Sequence, residues 1–202
     1  MKIVVVGATG TVGSAVVKAL SARHEVVGVT RHSDPAVDLL DAASARALLE
    51  RIAGVDAVVC CAGSARFKPL AALTDEDFAA SLADKLMGQV NLARAALARL
   101  RDGGSITLTS GVLAIRPMPG SAAISLVNAG LEGFVRAAAL EAPRRIRVNV
   151  VSPPWVKETL AAMGLDVASG LAAADVAKAY VDAVEGSQNG AVIDPMRFSG
   201  TR

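Results

Sequence analysis

Gly7-Ala8-Thr9-Gly10-Thr11-Val12-Gly13 follows the run Lys2-Ile3-Val4-Val5-Val6 and leads into Ser14-Ala15-Val16-Val17-Lys18-Ala19-Leu20. Glycines at this spacing let a chain turn sharply off a strand, let its backbone approach a pyrophosphate, and let the following helix pack closely. The free N–H groups of that helix then face the phosphates. The segment is read as a dinucleotide cradle, with Gly7, Thr9, Gly10, Thr11, Val12 and Gly13 as its contacts. Arg31 stands about eighteen residues beyond Gly13, just after the next β-branched run. A carboxylate there would clasp the ribose 2′-hydroxyl of NAD, whereas a guanidinium suits a 2′-phosphate. Ser33 can donate to the same phosphate and His32 can stack on the adenine, so NADP(H) is expected rather than NAD. The other reading of Arg31 is a solvated arginine at a strand end.

The elements that must position these residues are legible in the alternation of the chain. Short β-branched runs at Ile3–Val6, Val26–Thr30, Ala57–Cys60, Ser105–Thr109, Ile146–Val151 and Ala191–Ile193 alternate with helical stretches. Those stretches run near Val12–Arg23, Ala43–Ile52, Asp75–Arg101, Ser121–Glu141 and Ala174–Glu185. The expected fold is α/β, a single-domain Rossmann-type doubly wound parallel sheet with helices on both faces. About seven residues separate Thr30 from Asp38, too few for a parallel crossover, so the fold is expected to be trimmed after the second strand.

With 202 residues, 52% of them apolar, one domain spans the chain and the site must be built from loops of its own sheet. The net charge of +2, with no basic block, gives no reason to invoke nucleic acid or a membrane surface. The apolar N-terminal run is soon interrupted by Gly7, too short for a signal peptide or span, and a cytoplasmic location is expected. Cys60 and Cys61, adjacent in an apolar run, suit buried thiols, and His24 and His32 do not make a metal site.

From residue 1 to about residue 194 the order of motifs resembles the short-chain dehydrogenase/reductase family. Cys60-Cys61-Ala62-Gly63 stands where that family has Asn-Asn-Ala-Gly, which implies that Cys61, Ala62 and Gly63 pass close to the adenine-side ribose. Asp38 and Leu39 resemble the carboxylate and backbone pair that holds the adenine amino group. Arg147-Val148-Asn149-Val150-Val151-Ser152-Pro153-Pro154-Trp155-Val156 is similar to the strand and loop that reach the nicotinamide amide, which implies that role for Pro153 and Val156. Pro154 replaces a glycine of that loop, and Gly10 takes the duty of the middle glycine that the commonest spacing would put at Thr11.

The same resemblance leaves the catalytic positions unmatched. Aligned on Asn128-Ala129-Gly130-Leu131-Glu132-Gly133-Phe134, Ile124 stands at the family's tyrosine and Asn128 at its lysine. The only tyrosine is Tyr180, with Val184 four residues on, so the Tyr-x-x-x-Lys pair that donates the proton is absent. Ser110 matches the serine that hydrogen-bonds a substrate carbonyl, and it also reads as a turn former. Lys85 occupies the place of an active-site asparagine. Desolvated there, its ammonium would have a lowered pKa and serve as proton donor, while a lysine beside Asp84 also reads as a solvated surface group. Asn128 is the third candidate, for the nicotinamide ribose, and Arg116 a further one for an anionic substrate. Trp155 and the segment 156–170 read as a substrate lid or as a packed helix.

Two principal functions stay open on these residues, with a third behind them. One is an NADP(H)-dependent oxidoreductase with a non-standard site, acting on a small carbonyl or enone substrate. The other is a catalytically inactive NADP(H)-binding sensor or scaffold, and cofactor-assisted isomerisation is a third, weaker possibility. The resemblance also implies a homodimer or homotetramer built on the helices 75–101 and 121–141.

Overall fold

Runs of Val and Ile that are apolar at every position belong in strands covered on both faces. The computed structural model, which describes residues 1–200, places them there. The strands are β1 (Lys2–Val6), β2 (Glu25–Val29), β3 (Ala57–Cys60), β4 (Ser105–Thr109), β5 (Arg147–Val151) and β6 (Val192–Ile193). They form one sheet in the order β2-β1-β3-β4-β5-β6, and every neighbouring pair is parallel. The chain leaves β1 for β2 on one side and returns to β3 on the other. The carboxyl ends of β1 and β3 therefore flank the crevice where ligands sit in such sheets.

Helices α1 (Thr11–Leu20) and α7 (Ala173–Glu185) cover one face, closing a core that contains Val5, Val59 and Tyr180. On the other face, α2 (Ala42–Arg51) and α5 (Ala122–Glu141) pack over Val58, Leu108 and Val150. By length and apolar character α5 matches a membrane span, yet Val127, Leu131 and Val135 are fully buried inside the protein. The trimming after the second strand is present. Beyond β2 the chain folds back, with Val37 N–H donating to the Thr30 carbonyl at 3.0 Å, and enters α2 without another strand or helix.

The stretch expected as one helix over Asp75–Arg101 is not a uniform α-helix. It begins as α3 (Asp75–Ser81), where Thr74 and Asp77 cap each other reciprocally. It then widens into a π-turn over Leu82–Met87 and continues as α4 (Gly88–Arg99). A π-turn is in effect an α-helix with one extra residue. Were these eight steps plain α-helix, Ser81 and Gln89 would point about 80° away from each other, an offset that the extra residue of the π-turn absorbs. With it, both are buried, Ser81 at 2% exposure and Gln89 at 0%. The price of this phase correction is a turn that carries Lys85.

After β5 comes α6 (Lys157–Ala162), within the segment 156–170 that the sequence reads as a lid or as a packed helix. It is pinned by a parallel bridge between Val156 and Leu171, and by Glu158, whose carboxylate accepts from Ala173 N–H at 3.0 Å. The segment read as a lid is thus anchored at both ends, while Met163 and Leu165 on it are more than half exposed.

Candidate active site

The turn from β1 into α1 is built around two glycines in contact. Gly7 has φ +82°, a left-handed conformation that disfavours any side chain, and a Cβ on Gly13 would lie 2.0 Å from the Gly7 carbonyl oxygen. A Cβ on Gly7 would in turn meet Ala62 at 2.9 Å. Gly10 caps α1 with no side-chain acceptor, so the first-turn N–H groups of Thr11, Val12 and Gly13 are left for a ligand. Beside this turn lies a cleft of about 310 Å³ whose lining includes Gly7, Thr9, Arg31, Leu39, Ala62 and Gly63.

Around the cleft the remaining candidates fall into two groups. Arg31 lies on its wall, half exposed, with Nε 3.6 Å from Asp38 Oδ1. The Asp38 carboxylate also accepts from Leu40 N–H at 3.0 Å. Ser33 does not present a free hydroxyl. Its Oγ accepts from Thr30 N–H at 2.8 Å and lies 2.7 Å from the Pro35 carbonyl, so it closes the turn after β2 instead of facing a phosphate. His32 is exposed. Cys61 contributes backbone to the loop, its N–H donating to the Val6 carbonyl at 2.8 Å, and burial pushes both the Cys61 and Cys60 thiols well above the usual thiol range.

A second cavity, of about 140 Å³, opens over the carboxyl ends of β4 and β5. Lys85, Ser110, Ile124, Asn128, Pro153 and Trp155 are on its wall. Gly63, φ +113°, allows the π-turn to approach so closely that an added Cβ would lie 3.0 Å from Lys85 Cα. Lys85 Nζ donates to the Ser110 carbonyl at 3.3 Å. Removal from water lowers its pKa from 10.5 to about 8, against the opposing pull of Cys60 and Asp84. Asn128 is 1% exposed; its Nδ2 donates to the Gly111 carbonyl at 3.4 Å, and its Oδ1 has no partner. Arg116 and Val156 are not on this wall; Arg116 is exposed, and Val156 is buried beneath α6.

Ser110 is held differently from what its sequence position implies. Its Oγ donates to Glu132 Oε1 at 3.1 Å, and Ser152 Oγ donates to the same oxygen at 3.3 Å. The other carboxylate oxygen of Glu132 pairs with Arg136 at 3.4 Å. A hydroxyl has one proton, so Ser110 meets a ligand with lone pairs and not as the donor to a carbonyl. Sequence reasoning missed Glu132, although a carboxylate four residues after Asn128 shares its helix face and stands out on an otherwise apolar side. It also missed Gln89, which exchanges two hydrogen bonds with the Thr109 backbone, at 2.8 and 2.9 Å, where β3 and β4 part. Tyr180 is fully buried on α7, its hydroxyl 2.7 Å from Thr109 Oγ1, and it lies outside this cavity.

Glycines that touch each other and Ala62, an uncapped helix end and the orphaned Asn128 oxygen fit an extended dinucleotide laid from the first cleft to the second cavity. Comparison with known proteins agrees with this class. The sequence model described as enoyl-(acyl carrier protein) reductase matches residues 3–189, and the chain belongs to that family of short-chain dehydrogenases/reductases. It is similar to the protein lin1944 from Listeria innocua, with 38% identity and a TM-score of 0.92 over 96% of this chain and 98% of that one. A small-chain dehydrogenase solved in complex with NADPH matches at 27% identity and a TM-score of 0.83, over 96% of this chain and 95% of the other. The hydroxynaphthalene reductase-like protein Arp2 of Metarhizium brunneum is 36% identical over 111 residues, which are 54% of this chain and 42% of that protein.

Proposed function

We propose that this protein is an NADP(H)-dependent oxidoreductase acting on a small carbonyl or enone substrate through a lysine-based site. The observation that carries the reading is the cavity in which Lys85, Ser110 and Asn128 converge next to the dinucleotide cleft. The turn 7–13 would hold the diphosphate, Arg31 the 2′-phosphate, and Asp38 with Leu39 the adenine. Asn128 Oδ1 would accept from a ribose hydroxyl of the nicotinamide half. When bound, the reduced nicotinamide supplies a hydride.

The chain's own residues manage the proton. Lys85, with a pKa of about 8, is mostly protonated at neutral pH and acidic enough to give a proton to an oxygen that gains negative charge. Ser110, its hydrogen turned toward Glu132, accepts from the alcohol so formed. Ile124 and Trp155 keep water from the reacting atoms. The test is NADPH oxidation, followed by absorbance, with a panel of aldehydes, ketones and enones. Turnover by the wild type is expected, falling as pH rises through about 8, and it should be lost in Lys85→Met while NADPH binding by calorimetry persists. Undiminished turnover in Lys85→Met would overturn the reading. The exposed face of α5 supports a homodimer as the working form.

A further inference from the structure

The cavity over Ser110 is small for a substrate site. Its volume of about 140 Å³ falls below the several hundred that pockets for whole small molecules enclose. Against it lies an open trough of about 590 Å³, bounded by Phe67, Lys68, Pro69, Leu70, Pro119 and Gly120. The two are joined by an aromatic pair: Phe67 on the trough side and Trp155 on the cavity wall meet edge to face, centroids 6.0 Å apart. The trough is preformed. Lys68 N–H donates to the Gly120 carbonyl at 3.0 Å, tying its two banks, and Gly120 leaves its floor to the Phe67 ring. Phe67 and Leu70 are 44% and 67% exposed, an apolar surface with no cover of its own. Lys68 is the charged residue on its wall, and its ammonium is held by Asp77, away from the apolar side chains.

We infer that this trough is a subsite for an uncharged, extended apolar arm of the substrate, whose reactive carbonyl reaches past Trp155 to Lys85. The inference rests on the proposed oxidoreductase reading. Continuity with the cavity through Phe67 and Trp155 selects a substrate arm over a protein partner. The lining of Phe67, Pro69, Leu70 and Pro119, with Lys68 drawn to Asp77, selects an alkyl or aryl chain over an anion.

The experiment is a series of straight-chain aldehydes with NADPH, run on the wild type and on the double variant Phe67→Ala, Leu70→Ser. In the wild type kcat/KM should climb about two- to fourfold per added methylene until the trough is filled. The double variant should lose that slope and keep its rate on the shortest aldehyde. A flat wild-type series, or an unchanged slope in the variant, overturns the inference and leaves the oxidoreductase reading intact. If no aldehyde is reduced, that reading fails, and the trough is judged by binding alone. Trp155 is the only tryptophan, so its emission reports occupancy by straight-chain primary alcohols. A shift that strengthens with chain length in the wild type and vanishes in the variant supports the subsite. A length-independent response, or a variant whose only change is from dimer to monomer in sedimentation, overturns it.

Discussion

At the scale of single residues, the proposed proton donor Lys85 carries a cost in stability. The folded-state pKa of about 8 lies below the unfolded value of 10.5. At pH 7 both states carry the proton, and the fold bears the full cost of holding an ammonium away from water. That cost has an upper bound of about 3 kcal/mol, and it fades as the pH rises from 8 toward 10.5. Lys85→Met, after loss of the hydrogen bond to Ser110, should therefore raise stability by about 1–2 kcal/mol at pH 7. Urea unfolding should show that gain disappearing above pH 10.5. Lys85, Ser110 and Asn128 could be picked from the sequence because each sits at a fixed offset from a motif. Glu132 was missed because no motif marks it; its place one turn beyond Asn128 was the available signal, and its pairing with Ser110 and Ser152 is made by the packing of α5 on the ends of β4 and β5. Its roles separate by substitution. Glu132→Ala would strand Ser110, Ser152 and Arg136 and should cost about 3 kcal/mol. In Glu132→Gln, Arg136 selects the amide oxygen and leaves the NH2 facing the two serines, freeing the Ser110 proton for the cavity. That variant should unfold within about 1 kcal/mol of wild type. Its KM should fall for a carbonyl substrate and rise for the corresponding alcohol, a split that a purely structural role would not produce.

At the scale of elements, strands and most helices follow from periodicity and turn residues, and the structure displaces their ends by a few residues. Ala174–Glu185 in the sequence is Ala173–Glu185 in the fold, and Val26–Thr30 is Glu25–Val29. The β1–α1 turn was readable because its glycines are a steric requirement. Gly13→Ala would drive a methyl into the Gly7 carbonyl, where no flexible side chain can yield, and should cost about 3 kcal/mol or more and abolish NADPH binding by calorimetry. The π-turn was not readable, because no residue type demands one and its cause is tertiary. Ser81 must donate to the Asp77 carbonyl and receive Arg66 N–H at one end, while Gln89 must meet Thr109 at the other. Deleting the exposed Met87 removes the additional residue and lets a plain α-helix satisfy both ends. Circular dichroism should then be unchanged and NADPH should still bind, while turnover falls because tightening the π-turn to α-helical pitch swings Lys85, four residues from Ser81, by about 40°.

At the scale of the whole molecule, composition and charge leave open what covers the long helix α5. Its inward face is committed to the core through Val127, Leu131 and Val135. Its outward face runs Leu126, Ala129, Gly133, Ala137 and Leu140, at helical spacing, with Leu140 89% exposed. Large apolar side chains flank small ones, and nothing lies within 4 Å of a Cβ placed on Gly133. A stripe of that shape admits an identical helix at close range, because a two-fold axis sets the small residues of one copy against those of the other. The two local effects of changing Gly133 then oppose each other usefully. In an isolated chain Gly133→Ala should add about 0.5–1 kcal/mol of helix stability, whereas Gly133→Arg places a long cation in the middle of the contact. Sedimentation should find the wild type dimeric and Gly133→Arg monomeric, with the unfolding transition of the wild type moving upward with protein concentration and that of the arginine variant standing still. Because the face lies away from the cleft beside Gly7 and from the cavity over Ser110, NADPH affinity of the monomeric variant should match the wild type, which separates assembly from cofactor binding in one purified pair.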